Sequence, residues 1–174
     1  MLLLTGEFYL SLDDKNRLMV PTRVREEIAQ EGHGPVFYLT LGTNRVLSLY
    51  PERIYQRIAL VVAPGKAAPD EALRHDRLNY SLASKVELDR QGRLLLGERY
   101  VSRTGLKEEV TLIGAKDHLE IWDPQQWGTF LAENFGVNEQ AMLLARQQVL
   151  HEEYNSAVQN LQDELEKRPD ATNE

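Results

Sequence analysis

Residues 12–20 read LDDKNRLMV, and residues 88–96 read LDRQGRLLL. Asp13 and Asp89 are separated by 76 positions, and so are Arg17 and Arg93. Two chemically matched turns at one offset mark an internal repeat. The first turn lies between strand-like runs. Phe8, Leu10 and Leu12 alternate with Tyr9 and Ser11 on one side, and Arg17-Leu18-Met19-Val20 follows on the other. A period of two broken by a polar turn predicts a β-hairpin. Lys85–Leu88 and Arg93–Leu96 repeat that plan around D-R-Q-G. Asn16 holds the slot that Gly92 fills in the second copy. A turn of this length needs one residue at positive φ near its end, which Gly adopts freely and Asn tolerates.

The flanks repeat as well. Thr22 is placed to cap a short helix through Ile28, and a second short helix is expected around 98–104, ended by Gly105. Two more strand pairs follow, Val36–Leu41 with Val46–Tyr50 and Val110–Gly114 with His118–Trp122. Tyr50-Pro51 closes the first pair and Trp122-Asp123-Pro124 the second, each opening a helix. Residues 63–70, APGKAAPD, read as a linker, and 71–80 as a further helix. From Asn138 to Lys167 a Gln/Glu-rich stretch without Gly predicts a long helix, with Tyr154, Val158, Leu161 and Leu165 on one stripe. Residues 168–174 read as a disordered end. The organisation expected is a module at 7–54, a helical and linker segment at 55–82, a second module at 83–126, and a helical region with an acidic tail at 127–174.

A module of about 45 residues buries too little apolar surface to stand alone. Two intertwined copies would close a small barrel and remove exposed sheet edges. The fold class expected is therefore α+β: two such β modules in one pseudo-dimeric barrel, with short helices and a long C-terminal helix.

Composition sets wide bounds. The net charge is −7, but residues 133–174 hold nine acids against three bases, so the remainder stands at only −1. A near-neutral body can carry a basic face. There is no cysteine, hence no disulfide framework and no thiolate metal site. No apolar stretch suggests a signal peptide or membrane span, so a cytoplasmic protein is expected.

The turns carry the chemistry. Lys15 and Arg17 sit at or just past the first tip, Arg90 and Arg93 at the second. A guanidinium fork suits phosphate or the O6/N7 edge of guanine, and a β-hairpin fits the major groove. Asp13 and Asp89 repel phosphate. Their expected work, with Asn16 and Gly92, is to shape the turns, the carboxylates accepting backbone N–H groups and holding the arginines. Arg23, Arg25, Arg99 and Arg103, on the short helices near the motif, are weaker candidates for DNA contact and read first as exposed solubilising residues; Trp122 and Trp127 read as core or interface residues ahead of a base-stacking platform.

The tandem D-x-x-x-R turns, in LDDKNRLMVPTRVRE and ELDRQGRLLLGERY, resemble the MraZ family of bacterial transcription regulators, built from tandem SpoVT-AbrB (AbrB-like) swapped-hairpin modules. GEFYLSLDDKNRLMVPTRVRE, LYP and EVTLIGAKDHLEIWDPQQW match the family pattern in order, over about residues 1–135. The resemblance implies sequence-specific binding of double-stranded DNA at promoter repeats of cell-division and cell-wall genes, a ring-shaped homo-oligomer and a nucleoid-associated location. This sequence departs from the pattern at Asn16, where the family has Gly, and at Gly97, where it has Pro.

An enzyme is the rival class. Asp13-Asp14 and Glu26-Glu27 are adjacent carboxylates that do not converge on a substrate, and the four histidines are scattered. No phosphate-binding glycine loop, zinc-protease helix or serine elbow occurs. No enzyme, cofactor, metal, membrane or small-molecule substrate is expected. A protein-interaction scaffold, an AbrB-like oligomer without DNA binding, is the second reading.

Overall fold

The computed structural model describes residues 2–61 and 69–166. The elements are β1 (Glu7–Ser11), β2 (Arg17–Met19), α1 (Thr22–Gln30), β3 (Val36–Leu41), β4 (Leu47–Pro51), α2 (Glu52–Val61), α3 (Pro69–Ser81), β5 (Ser84–Glu87), β6 (Arg93–Leu95), α4 (Glu98–Thr104), β7 (Glu109–Gly114), β8 (Leu119–Trp122) and α5 (Pro124–Glu166). They fall into two units, one ending at Gly128 and one beginning at Thr129.

The first unit is a mixture of helices and antiparallel sheet. Its larger sheet has six strands in the order β1-β7-β8-β4-β3-β5, and β2 and β6 form a separate two-stranded ribbon. Exchange β1 with β5, β3 with β7 and β4 with β8, and the order reads the same. The two copies are thus related about the β4–β8 contact, where Ser48 faces Glu120.

Two expectations need correction. The strands flanking each D-x-x-x-R turn do not pair as a hairpin: their sides meet only at the turn itself, through Asp13 N–H to the Arg17 carbonyl at 3.0 Å with the isolated bridge Leu12–Leu18, and through Asp89 N–H to the Arg93 carbonyl at 2.9 Å. Instead β1 pairs with β7, β5 with β3 and β2 with β6, each strand finding its partner in the other copy. The reason lies in the alternation. Leu18 and Leu94 face each other at the ribbon centre, both 0% exposed, and a β1–β2 hairpin would forgo that contact. Nor does the sheet close into a barrel among the described residues. β1 and β5 remain as edges, protected by being short and by outward Glu7, Lys85 and Glu87.

The core joins both copies. Leu18, Val20, Phe37, Leu39, Leu47 and Leu49 from the first pack with Leu94, Leu96, Leu112, Leu119 and Ile121 from the second. Each such side chain contributes about 1.5–3 kcal/mol by leaving water. Tyr100 of α4 is buried, and its hydroxyl lies within hydrogen-bond reach of the carbonyls of Leu39 (3.1 Å) and Leu82 (2.8 Å), linking the two copies.

The local signals fare unevenly. The first short helix runs to Gln30, but Thr22 is its first residue rather than its cap, and the Thr22 hydroxyl accepts Arg25 Nη2 at 2.9 Å instead. α4 begins after Gly97 and ends at Gly105 with φ 73°. Asp123 caps α5: its Oδ1 accepts the N–H groups of Gln125 and Gln126 at 2.9 and 3.1 Å. The linker reading at 63–70 lies almost wholly outside the described residues, and its last two, Pro69 and Asp70, already belong to α3. The C-terminal helix starts at Pro124, well before Asn138. In the second unit its apolar residues Phe135, Val137, Met142 and Tyr154 are exposed. The end at 168–174 lies outside the described residues.

Candidate nucleic-acid interface

The two turns are built alike. Asp13 Oδ1 accepts the backbone N–H of Lys15 at 3.0 Å and of Arg17 at 2.9 Å. Asp13 Oδ2 accepts Arg17 Nε and Nη2, both at 2.7 Å. In the second copy Asp89 Oδ1 accepts the N–H groups of Gln91 (2.9 Å) and Arg93 (3.0 Å), and Oδ2 accepts Arg93 Nε (2.8 Å) and Nη2 (2.7 Å). One carboxylate oxygen closes the backbone and the other holds the guanidinium. Asn16 N–H donates to the Asp13 carbonyl at 2.9 Å and Gly92 N–H to that of Asp89 at 2.8 Å. The residue that ends each turn is left-handed, Asn16 at φ 56° and Gly92 at φ 79°. Each is a four-residue turn closed by an i to i+3 hydrogen bond and ended by a left-handed residue.

The charges follow from that geometry. The Arg93 side chain beside Asp89 and the two backbone N–H groups hold its carboxyl down at about 2. At Asp13 desolvation pulls upward, but the backbone and side-chain bonds from Arg17 and the Lys15 N–H outweigh it, and its carboxyl also lies below the usual value. Both carboxylates therefore stay ionised and keep their arginines. Two guanidinium N–H groups are spent on Asp, and the Nη1/Nη2 fork at the far end still carries donors.

Strand pairing brings the two turns onto one surface. Leu96 N–H donates to the Asn16 carbonyl at 2.9 Å, and Val20 N–H to the Gly92 carbonyl at 3.1 Å. Each turn is thereby tied to the strand that leaves the other. In the ribbon Arg17 stands opposite Leu95 and Met19 opposite Arg93. Alternate residues of a strand share a face. Arg17, Met19, Arg93 and Leu95 thus form the outer face, while Leu18 and Leu94 form the buried one. Lys15 and Arg90 are exposed on the tips. They are not counterparts: at an offset of 76, Lys15 matches Gln91 and Arg90 matches Asp14.

Two residues of this surface escape a sequence reading. Met19 and Leu95 count as strand residues by pattern, yet they are 43% and 56% exposed. Their shared offset of 76 was the available signal. Arg25, read as a solubilising residue, lies against the second turn: a Cβ on Gly92 would stand 2.7 Å from its Cζ. Its Nε donates to the Val20 carbonyl at 3.1 Å.

Trp122 and Trp127 lie away from this ribbon. Trp122 is buried, their rings are tilted at a centroid distance of 5.3 Å, and Trp127 Nε1 donates to Glu7 Oε1 at 2.7 Å. Among the described residues no group of three or more His, Cys, Asp or Glu is arranged to hold a metal, and no helix is long and apolar enough to cross a membrane.

Comparison with known proteins agrees with the repeat. The family model of the MraZ protein, whose description likens it to antitoxins, matches residues 3–73 and again 80–146. The chain is 36% identical over 122 residues to a transcriptional regulator MraZ from Thermomicrobium roseum, covering 70% of this chain and 82% of that protein. It is 34% identical over 128 residues to one from Micrococcus luteus (74% and 86%) and 33% identical over 128 residues to one from Dictyoglomus turgidum (74% and 84%). With both copies matched and most of the chain aligned, this protein belongs to the MraZ family.

Proposed function

We propose that this protein is a transcriptional regulator that binds double-stranded DNA in a sequence-specific manner, without catalysis. The observation that carries the reading is the pairing of two Asp-braced arginines, Arg17 and Arg93, on one face of the β2–β6 ribbon. A two-stranded ribbon fits the major groove, and a fixed guanidinium fork matches guanine O6 and N7. Bracing matters because a side chain already held loses less rotamer freedom on binding. Lys15 and Arg90 on the tips add phosphate contacts. Asp13, Asn16, Asp89 and Gly92 shape the turns. The relatives named as transcriptional regulators support the assignment.

In this reading residues 7–54 and 83–126 act as one AbrB-like, swapped-hairpin pair, and several chains assemble in a ring that engages repeated promoter sites of cell-division and cell-wall genes. With no more than about four cationic side chains per chain at the DNA, the salt slope is about −3.6 at its steepest, too shallow for tight binding by one copy. Multivalency supplies the rest. The protein works in the cytoplasm, on the nucleoid. Fluorescence anisotropy tests this with labelled DNA from upstream of its own gene, at two salt concentrations, against scrambled DNA. Selective, salt-sensitive binding is expected. An assembled oligomer that binds neither DNA would leave the scaffold reading in its place.

A further inference from the structure

Beyond the arginines, the ribbon face holds two apolar side chains that the fold leaves uncovered. Met19 is 43% and Leu95 56% exposed, at the same place in the two copies. The bonds Leu96 N–H to Asn16 and Val20 N–H to Gly92 put the ladder's hydrogen bonds on the even positions of β2. By alternation, the Arg17–Leu95 and Met19–Arg93 pairs are the non-hydrogen-bonded ones, where side chains stand closest. Each apolar residue therefore stands directly across the ribbon from an arginine.

We propose that Met19 and Leu95 are specificity residues that read the C5-methyl groups of thymine in the major groove, next to the guanines taken by Arg17 and Arg93. The inference rests on the DNA-binding reading above and deepens it. In the major groove, thymine is distinguished by its methyl group as well as its O4, and apolar side chains contact that methyl. An apolar patch as small as two side chains matches single methyl groups rather than a protein partner's core. The flanking charges decide the occupant. A second copy meeting this face would bring like guanidinium groups together, whereas DNA supplies acceptors for them. The preferred site is thus a short stretch with guanine and thymine as neighbours.

A chemical substitution in the DNA tests this without perturbing the fold. A duplex enriched by the protein from a randomised library is made with thymidine and again with deoxyuridine, which differs only by the methyl groups. The wild-type chain should bind the thymidine duplex more tightly, by about fourfold for each methyl buried, the effect of one CH₂-sized group. A double variant, M19A with L95A, should bind the two duplexes alike while melting as the wild type does. Equal wild-type affinity for the two duplexes would overturn the proposal and leave the arginine reading standing. So would a thymidine preference that survives in the double variant, since it would then come from DNA shape. If the wild type enriches no duplex at all, the DNA-binding reading itself fails, and this inference with it.

Discussion

Arg25 of the first copy closes over Gly92 of the second, so that a Cβ on Gly92 would meet its guanidinium at 2.7–2.9 Å. Gly92 is also left-handed, at φ 79°. Gly92→Ala therefore combines backbone strain with a clash against a side chain already bonded to the Val20 carbonyl. We expect a loss of about 2 kcal/mol or more in urea unfolding. Asn16→Gly, at the matching position, should change stability by less than about 0.5 kcal/mol, because Asn already tolerates its φ of 56°. Equal effects of the two changes would refute this account of the asymmetry.

Asp89 should titrate at about 2, and Asp13 below 3.8. Because both are lowered on folding, their contribution is present above the ordinary carboxylate value and is lost as pH falls through the folded values. Carboxyl NMR shifts followed from pH 5 down to about pH 1 would show this. Arg93→Ala should return Asp89 towards 3.8. An Asp89 midpoint at the ordinary value in the wild type would mean that the brace does not form in solution.

His118 behaves in the opposite sense. It stacks on Tyr50 with ring centroids 4.4 Å apart, and its nitrogens lie 2.8 Å from Asp117 Oδ1 and 3.4 Å from Glu120 Oε1. Burial lowers its pKa, but the two carboxylates raise it further, leaving it above 6.5. A raised pKa contributes stability that is present below the ordinary value and lost as pH rises through the folded one. Imidazole proton shifts should give a midpoint above 6.5 in the wild type and a lower one in Glu120→Gln. An unchanged midpoint in that variant would rule out the Glu120 contribution.

Tyr100→Phe removes the one O–H that donates to the Leu39 or the Leu82 carbonyl, and with it a tie between the two copies. The expected loss is about 1–2 kcal/mol, read by chemical denaturation. A neutral change would show that water replaces the hydroxyl there.

Much of this is legible in the sequence. The offset of 76 exposed the repeat, and the turn residues, the Asp123 cap and the strand positions followed from local chemistry. Pairing was not legible. A D-x-x-x-R turn between two alternating runs reads as a hairpin, because sequence adjacency is the cheapest partner to assume. Leu18 and Leu94 pair only after both copies exist, and no local signal at either residue names the other. The same blindness hid Met19 and Leu95. Their exposure depends on the partner strand, not on their own surroundings. Arg25 against Gly92 is likewise a contact between copies, invisible to a reading along the chain.

The central claim is that Arg17 and Arg93 read DNA. Anisotropy with Arg17→Ala and Arg93→Ala, beside wild type on DNA from upstream of its own gene, measures it most directly. Each loss of a guanine fork is worth about 1–3 kcal/mol, so each variant should bind about fivefold or more weakly while remaining folded at the assay temperature. Wild-type affinity in both variants, with the fold intact, would contradict the claim.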